Sequence, residues 1–197
     1  MRNRLALSLI ALALTGCSST PETGTASLNV RRASGGEQFT ADFDRALFSN
    51  TIDGQTDLVL LRDTPAGSGP GVQQAVHVTV FWQPTRTIRL DSPSAGNAMI
   101  DWVVSAGDTD KIVYGGSCWA RVSIDGDEAA VDLREADVTV RQRTGRLADP
   151  LTRAKLAGKF VAKRADAVVK AYVDDIRAGQ APRLASIDTA NVQVARK

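Results

Sequence analysis

The groups with the strongest intrinsic chemistry are few. The chain of 197 residues holds one histidine and two cysteines. A thiolate nucleophile would therefore depend on His77 as its base, with Cys118 as the candidate thiol. A thiol with neither a base nor a helix dipole beside it stays mostly protonated at neutral pH. Cys118 alternates with Ala120, Val122 and Ile124, which is the pattern of one strand face, where a free cysteine packs as a small hydrophobe. His77 sits among Val76, Val78 and Val80 and points away from them, with Thr79 and Phe81. The reading is a packed thiol and a hydrogen-bonded or surface histidine.

The other chemistry-bearing groups point the same way. Gly116-Ser117-Cys118-Trp119 resembles the nucleophile region of papain-like proteases, but no histidine lies downstream of Cys118. Asp108 and Asp110, then Asp125, Asp127 and Glu128, are carboxylates in turns, yet neither group has the spacing of a calcium loop, and Asp is a default turn residue. A glycosidase needs two carboxylates at a set separation, which spacing in sequence does not supply. Gly67-Ser68-Gly69-Pro70-Gly71 lacks the Lys-Ser/Thr and helix of a phosphate cradle. Trp82, Trp102 and Trp119 read as packed side chains, with a stacking surface for sugar rings as the alternative. No metal or cofactor is expected.

The elements that position these groups follow from periodicity. Phe39, Ala41 and Phe43 alternate with Thr40, Asp42 and Asp44. Residues 58–61, 76–82, 99–105, 111–114, 118–124 and 130–141 complete a set of short apolar or alternating segments separated by turn signals. Asp125-Gly126 predicts a hairpin. A change of phase between Leu133 and Ala136 predicts a bulge near Arg134–Glu135. From Pro150, with Asp149 as N-cap, the spacing predicts a helix of about 28 residues ending near Gly179 and Pro182. Leu151, Ala154, Val161, Ala165, Val168, Val169, Tyr172 and Ile176 share its apolar face, and Lys155, Lys159, Lys163 and Lys170 line the other. The expected fold is mainly β, an antiparallel β-sandwich of about seven to nine strands over residues 27–146, followed by one long amphipathic helix over 147–182. Residues 183–197 form a tail in which 191–195 read as a short strand.

The amino terminus carries a different signal. Arg2 and Arg4 precede an apolar run over residues 5–14, too short to span a bilayer and suited to a secretory signal. Leu14-Thr15-Gly16-Cys17 follows. This segment resembles the lipobox of bacterial lipoprotein precursors. The resemblance covers residues 1–17 and implies removal of residues 1–16 and a diacylglycerol on the Cys17 thiol. It also implies acylation of the new amine. Several chains give stable anchoring where one would not. Ser18 and Ser19 follow the cysteine, and by resemblance to the lipoprotein sorting pattern the absence of Asp there implies the outer membrane; residues 17–26 read as a flexible tether.

Charge then sorts the function classes. The net charge of +2 belongs to Arg2 and Arg4, so the processed chain is neutral, which excludes a strongly basic nucleic-acid binder. Residues 17–150 carry 12 basic and 18 acidic side chains, and residues 151–197 carry 10 and 4. The lysine face is the candidate surface for an anionic envelope component or an acidic protein patch. The expected function is non-catalytic: a lipid-anchored envelope protein that binds or scaffolds, placed at the outer membrane and facing the periplasm. The alternatives are a glycan- or ligand-binding sandwich and an envelope hydrolase with an unidentified carboxylate pair.

Overall fold

The computed structural model describes residues 24–33, 37–51, 53–62, 72–83, 96–107, 109–149 and 151–178. Eight strands follow one another: β1 (Gly24–Arg32), β2 (Gln38–Asn50), β3 (Thr56–Arg62), β4 (Val72–Val80), β5 (Ala98–Ala106), β6 (Asp110–Asp125), β7 (Glu128–Thr144) and β8 (Arg153–Arg164). A helix, α1 (Asp166–Arg177), ends the described chain. Each strand pairs antiparallel with the next, and β8 pairs antiparallel with β1, so the sheet closes into a barrel. This corrects the expected sandwich. Alternation of apolar and polar residues serves both architectures equally. The pairing of Val30 with Leu156 is what abolishes the edges.

The inward positions make one continuous core. Leu28, Phe43, Leu58, Leu60, Ile100, Tyr114, Leu133 and Leu156 are fully buried in it. Leu147 packs against the same core, as does buried Leu151, at the end where β7 turns into β8. There the Asp149 carboxylate accepts from the Tyr114 hydroxyl at 2.6 Å and from the amides of Leu151 and Thr152. Burial opposes ionisation of Asp149, but these hydrogen bonds outweigh it and hold its carboxyl below the ordinary range.

The predicted hairpin and bulge are both present. Asp125 pairs with Glu128 around Gly126, whose φ of 56° suits glycine. Register shifts between Leu133 and Ala136, and Glu135 takes a φ of 49°.

The long helix is corrected. Residues 153–164 are strand β8, and the helix is confined to 166–177. Ala154, Leu156, Phe160 and Ala162 point into the barrel, while Lys155, Lys159 and Val161 point outward. At Gly158 a Cβ would lie 2.6 Å from Leu28 Cδ2 and 2.7 Å from the Ser27 carbonyl oxygen. Close approach of β1 therefore requires glycine there, and tertiary pairing overrides the helix propensity of an Ala-, Lys- and Leu-rich segment. A helix of 12 residues is marginal alone. α1 is held because Val169, Tyr172, Val173 and Ile176 pack on outward-facing Leu47, Val59, Leu61, Ala75 and Val103. Burying four such side chains contributes about 6–12 kcal/mol before entropy is counted.

Candidate functional site

β6 carries Cys118 into the core, and β4 carries His77 to the outer wall, so the two groups lie on opposite faces of the sheet. Burial pushes the Cys118 thiol up to about 12, which leaves it protonated and unreactive. His77 is 3% exposed. Its Nε2 lies 2.8 Å from Asp57 Oδ1, and Thr79 Oγ1 donates to the same oxygen at 3.0 Å. Thr79 Oγ1 and His77 Nε2 are 3.1 Å apart. Burial works against the Asp57 charge, but the His77 and Thr79 hydrogen bonds and the charges of His77 and Arg177 hold its pKa below 3.8. Asp57, His77 and Thr79 face outward on β3 and β4 beside the sheet positions that α1 covers. The three groups are buried and satisfy one another as a hydrogen-bonded network. Asp57 was not singled out by sequence. The available signal was its place just before the apolar run 58–61, one strand away from His77.

The four lysines of the expected helix face separate. Lys155, Lys159 and Lys163 project from β8, and Lys170 lies on the exposed side of α1. β7 sets acids directly opposite the first three: Asp137 faces Lys155, Asp132 faces Lys159 and Glu128 faces Lys163. Lys163 Nζ bonds Glu128, and Lys159 Nζ lies 3.9 Å from Asp132. Arg153 and Arg134 pair with Asp137 and Asp132 respectively. The hydrogen bond from Arg134 to Asp132, with the charges of Arg134, Lys159 and Arg121, outweighs burial and lowers the Asp132 pKa. Asp137 is lowered likewise by its bond from Arg153. The acidic and basic parts of the sequence therefore meet as cross-strand pairs.

One part of this face is concave. An open groove of about 450 Å³ runs over β6, β7 and β8, lined by Arg121, Ser123, Ala130, Asp132, Lys159 and Val161 among others. Arg121 faces Asp132, and Asp132 faces Lys159, so two cations flank one carboxylate. Ala130 and the exposed Val161 give the groove an apolar side. Only Lys159 of the four candidate lysines lines it. Arg121 was missed because its partner positions depend on strand register.

The tryptophans divide as well. Trp102 is buried in the barrel, 5.9 Å from the Tyr114 ring. Trp82 is 45% exposed and meets Trp119 edge to face, with centroids 5.8 Å apart and planes at 90°. Perpendicular rings do not present two coplanar faces to a sugar. Asn97 holds this region in place. Its side-chain amide accepts from Ala120 N–H at 2.8 Å and donates to the Ala120 carbonyl at 2.7 Å, standing in for a strand neighbour. It also donates to the Trp82 carbonyl at 2.8 Å.

Of the turn acids, Asp110, Asp127 and Glu128 are tied to the chain itself. Asp110 accepts from the Arg146 amide, and Asp127 lies 3.5 Å from Arg164 Nε. No group of three or more His, Cys, Asp or Glu is disposed to hold a metal among the described residues. Cys17, Asp108, the glycine-rich 67–71 segment and residues 191–195 lie outside the described residues. No family model, curated protein or solved structure matches the chain.

Proposed function

We propose that this chain is a non-catalytic, lipid-anchored cell-envelope protein with a binding or scaffolding role, placed at the outer membrane and facing the periplasm. Its contact surface is the groove over β6–β8, and its partner presents an anionic group. The observation that carries this reading is the pair of cations, Arg121 and Lys159, around the single carboxylate of Asp132 beside apolar Ala130 and Val161. An acidic side chain entering there gains charge-assisted hydrogen bonds, while its apolar neighbours cover Val161. The Leu14–Cys17 pattern supports the anchor. The packed interior favours contact on the outside of the barrel. Asp132 and Asp137, both lowered by their arginine partners, do not suit the general-acid role of a hydrolytic pair.

The test is binding of a fluorescent oligoglutamate peptide, followed by anisotropy at low salt. The Arg121→Gln/Lys159→Gln double variant should bind about tenfold or more weakly than wild type, as expected for two lost charge-assisted contacts. Equal affinity would exclude the groove as the contact surface.

A further inference from the structure

The two ends of the barrel differ in their exposed side chains. β1, β3, β5 and β7 begin at one end, where β2, β4, β6 and β8 finish. Phe81 and Trp82 directly follow β4 at this end. Met99 is the second residue of β5, Ile124 is next to last in β6, and Val161 is near the end of β8. All five are exposed. Among the described residues, the other exposed large apolar side chains are Phe39 and Val72, at the opposite end.

The anchor reading says which end faces lipid. Seven residue steps separate Cys17 from Gly24, where β1 starts. A flexible chain of that length spans about 15 Å on average and about 24 Å at full stretch. β1 itself runs about 26 Å from Gly24 to Arg32. An acylated Cys17 therefore holds the Gly24 end of the barrel closer to the bilayer than the far end.

We infer that this end docks on the lipid surface, with Phe81 and Trp82 at headgroup depth; the inference rests on the proposed anchor at Cys17. Tryptophan favours that depth because its ring is apolar and its N–H stays hydrated. Among the described residues near this end, Lys163 pairs with Glu128, and Arg164 with Asp127 and Asp166. With these cations paired, the exposed apolar side chains supply the docking contact. The carboxylates of the β6–β7 turn, Asp125, Asp127 and Glu128, keep that turn among the headgroups and out of the hydrocarbon.

The experiment uses the full lipidated chain in phosphatidylcholine vesicles, with or without bromine on the acyl chains. Flotation reports the anchor, and quenching of tryptophan emission by bromine reports docking. The Trp82 and Trp119 rings lie 5.8 Å apart and Trp102 is buried in the barrel, so brominated lipid should remove roughly a third to two thirds of the emission, and Trp82→Phe should reduce that loss. A Val72→Trp probe placed in the Trp82→Phe background, at the far end, should not be quenched. A chain that floats with unquenched emission, or a Val72→Trp probe quenched as strongly as Trp82, overturns the docking and leaves the anchor standing. A chain that fails to float overturns both.

Discussion

Replacing His77 by alanine tests whether the only imidazole is structural. The substitution strips the Asp57 carboxylate of its nearest partner, 2.8 Å away, and leaves the Thr79 hydroxyl. Asp57 is 7% exposed, so water does not readily replace the lost contact. Leaving a buried carboxylate without its nearest hydrogen-bond partner costs about 3–5 kcal/mol. At about 2–4 °C per kcal/mol for a domain of this size, Tm should fall by roughly 6–20 °C. Urea denaturation followed by tryptophan fluorescence, beside thermal unfolding by circular dichroism, measures both quantities. The double variant His77→Leu/Asp57→Leu should recover much of the loss, because no charge is then left buried alone. The pH dependence has a defined sign. Asp57 has a lowered pKa in the fold, so its contribution is complete above the unfolded value near 3.8 and is lost as pH falls through the lower folded value. The gap between wild type and His77→Ala should therefore narrow below about pH 3.8. A loss under 1 kcal/mol for His77→Ala, or a double variant no more stable than the single, would refute the reasoning.

Two further outcomes follow from buried groups. Asn97→Ala removes three hydrogen bonds and leaves the Ala120 amide and carbonyl without this partner; stability should drop by about 2–4 kcal/mol, with faster hydrogen exchange at Ala120, and unchanged exchange would contradict the strand-neighbour role. In a Cys17→Ala chain at pH 8, Cys118 should resist an aromatic disulfide reagent until denaturant is added, since burial pushes its thiol up to about 12; stoichiometric reaction of the folded chain would refute that.

Where an element is decided locally, the residues announced it. Gly126 tolerates the left-handed φ of the hairpin turn, and the phase slip after Leu133 marks the bulge at Glu135. The helix expected to start after Asp149 does not form there. The Asp149 carboxylate accepts from the amides of Leu151 and Thr152, as an N-cap accepts from the first turn of a helix. Thr152 then takes a φ of 55°, and the chain leaves as a strand. Only the part of the wheel carrying Val169, Tyr172 and Ile176 is helical and buried.

By itself the sequence determined a chain of alternating strands with their turns, a packed Cys118 and an amphipathic C-terminal helix, though not that helix's start or length. Each depends on side-chain period or on the φ that one residue tolerates. Only the tertiary structure decided that the sheet closes, that residues 153–164 are its last strand, and that Arg121, Asp132 and Lys159 share one groove. At this length Ala154, Leu156, Phe160 and Ala162 satisfy one strand face, while Leu151, Ala154, Val161 and Ala165 satisfy a helix wheel. The choice is made by partners far away in the chain. Val30 pairs with Leu156, Leu28 leaves no room for a Cβ at Gly158, and β7 lays its acids opposite the lysines of β8. Register between distant strands is a cooperative property of packing, and no single segment encodes it.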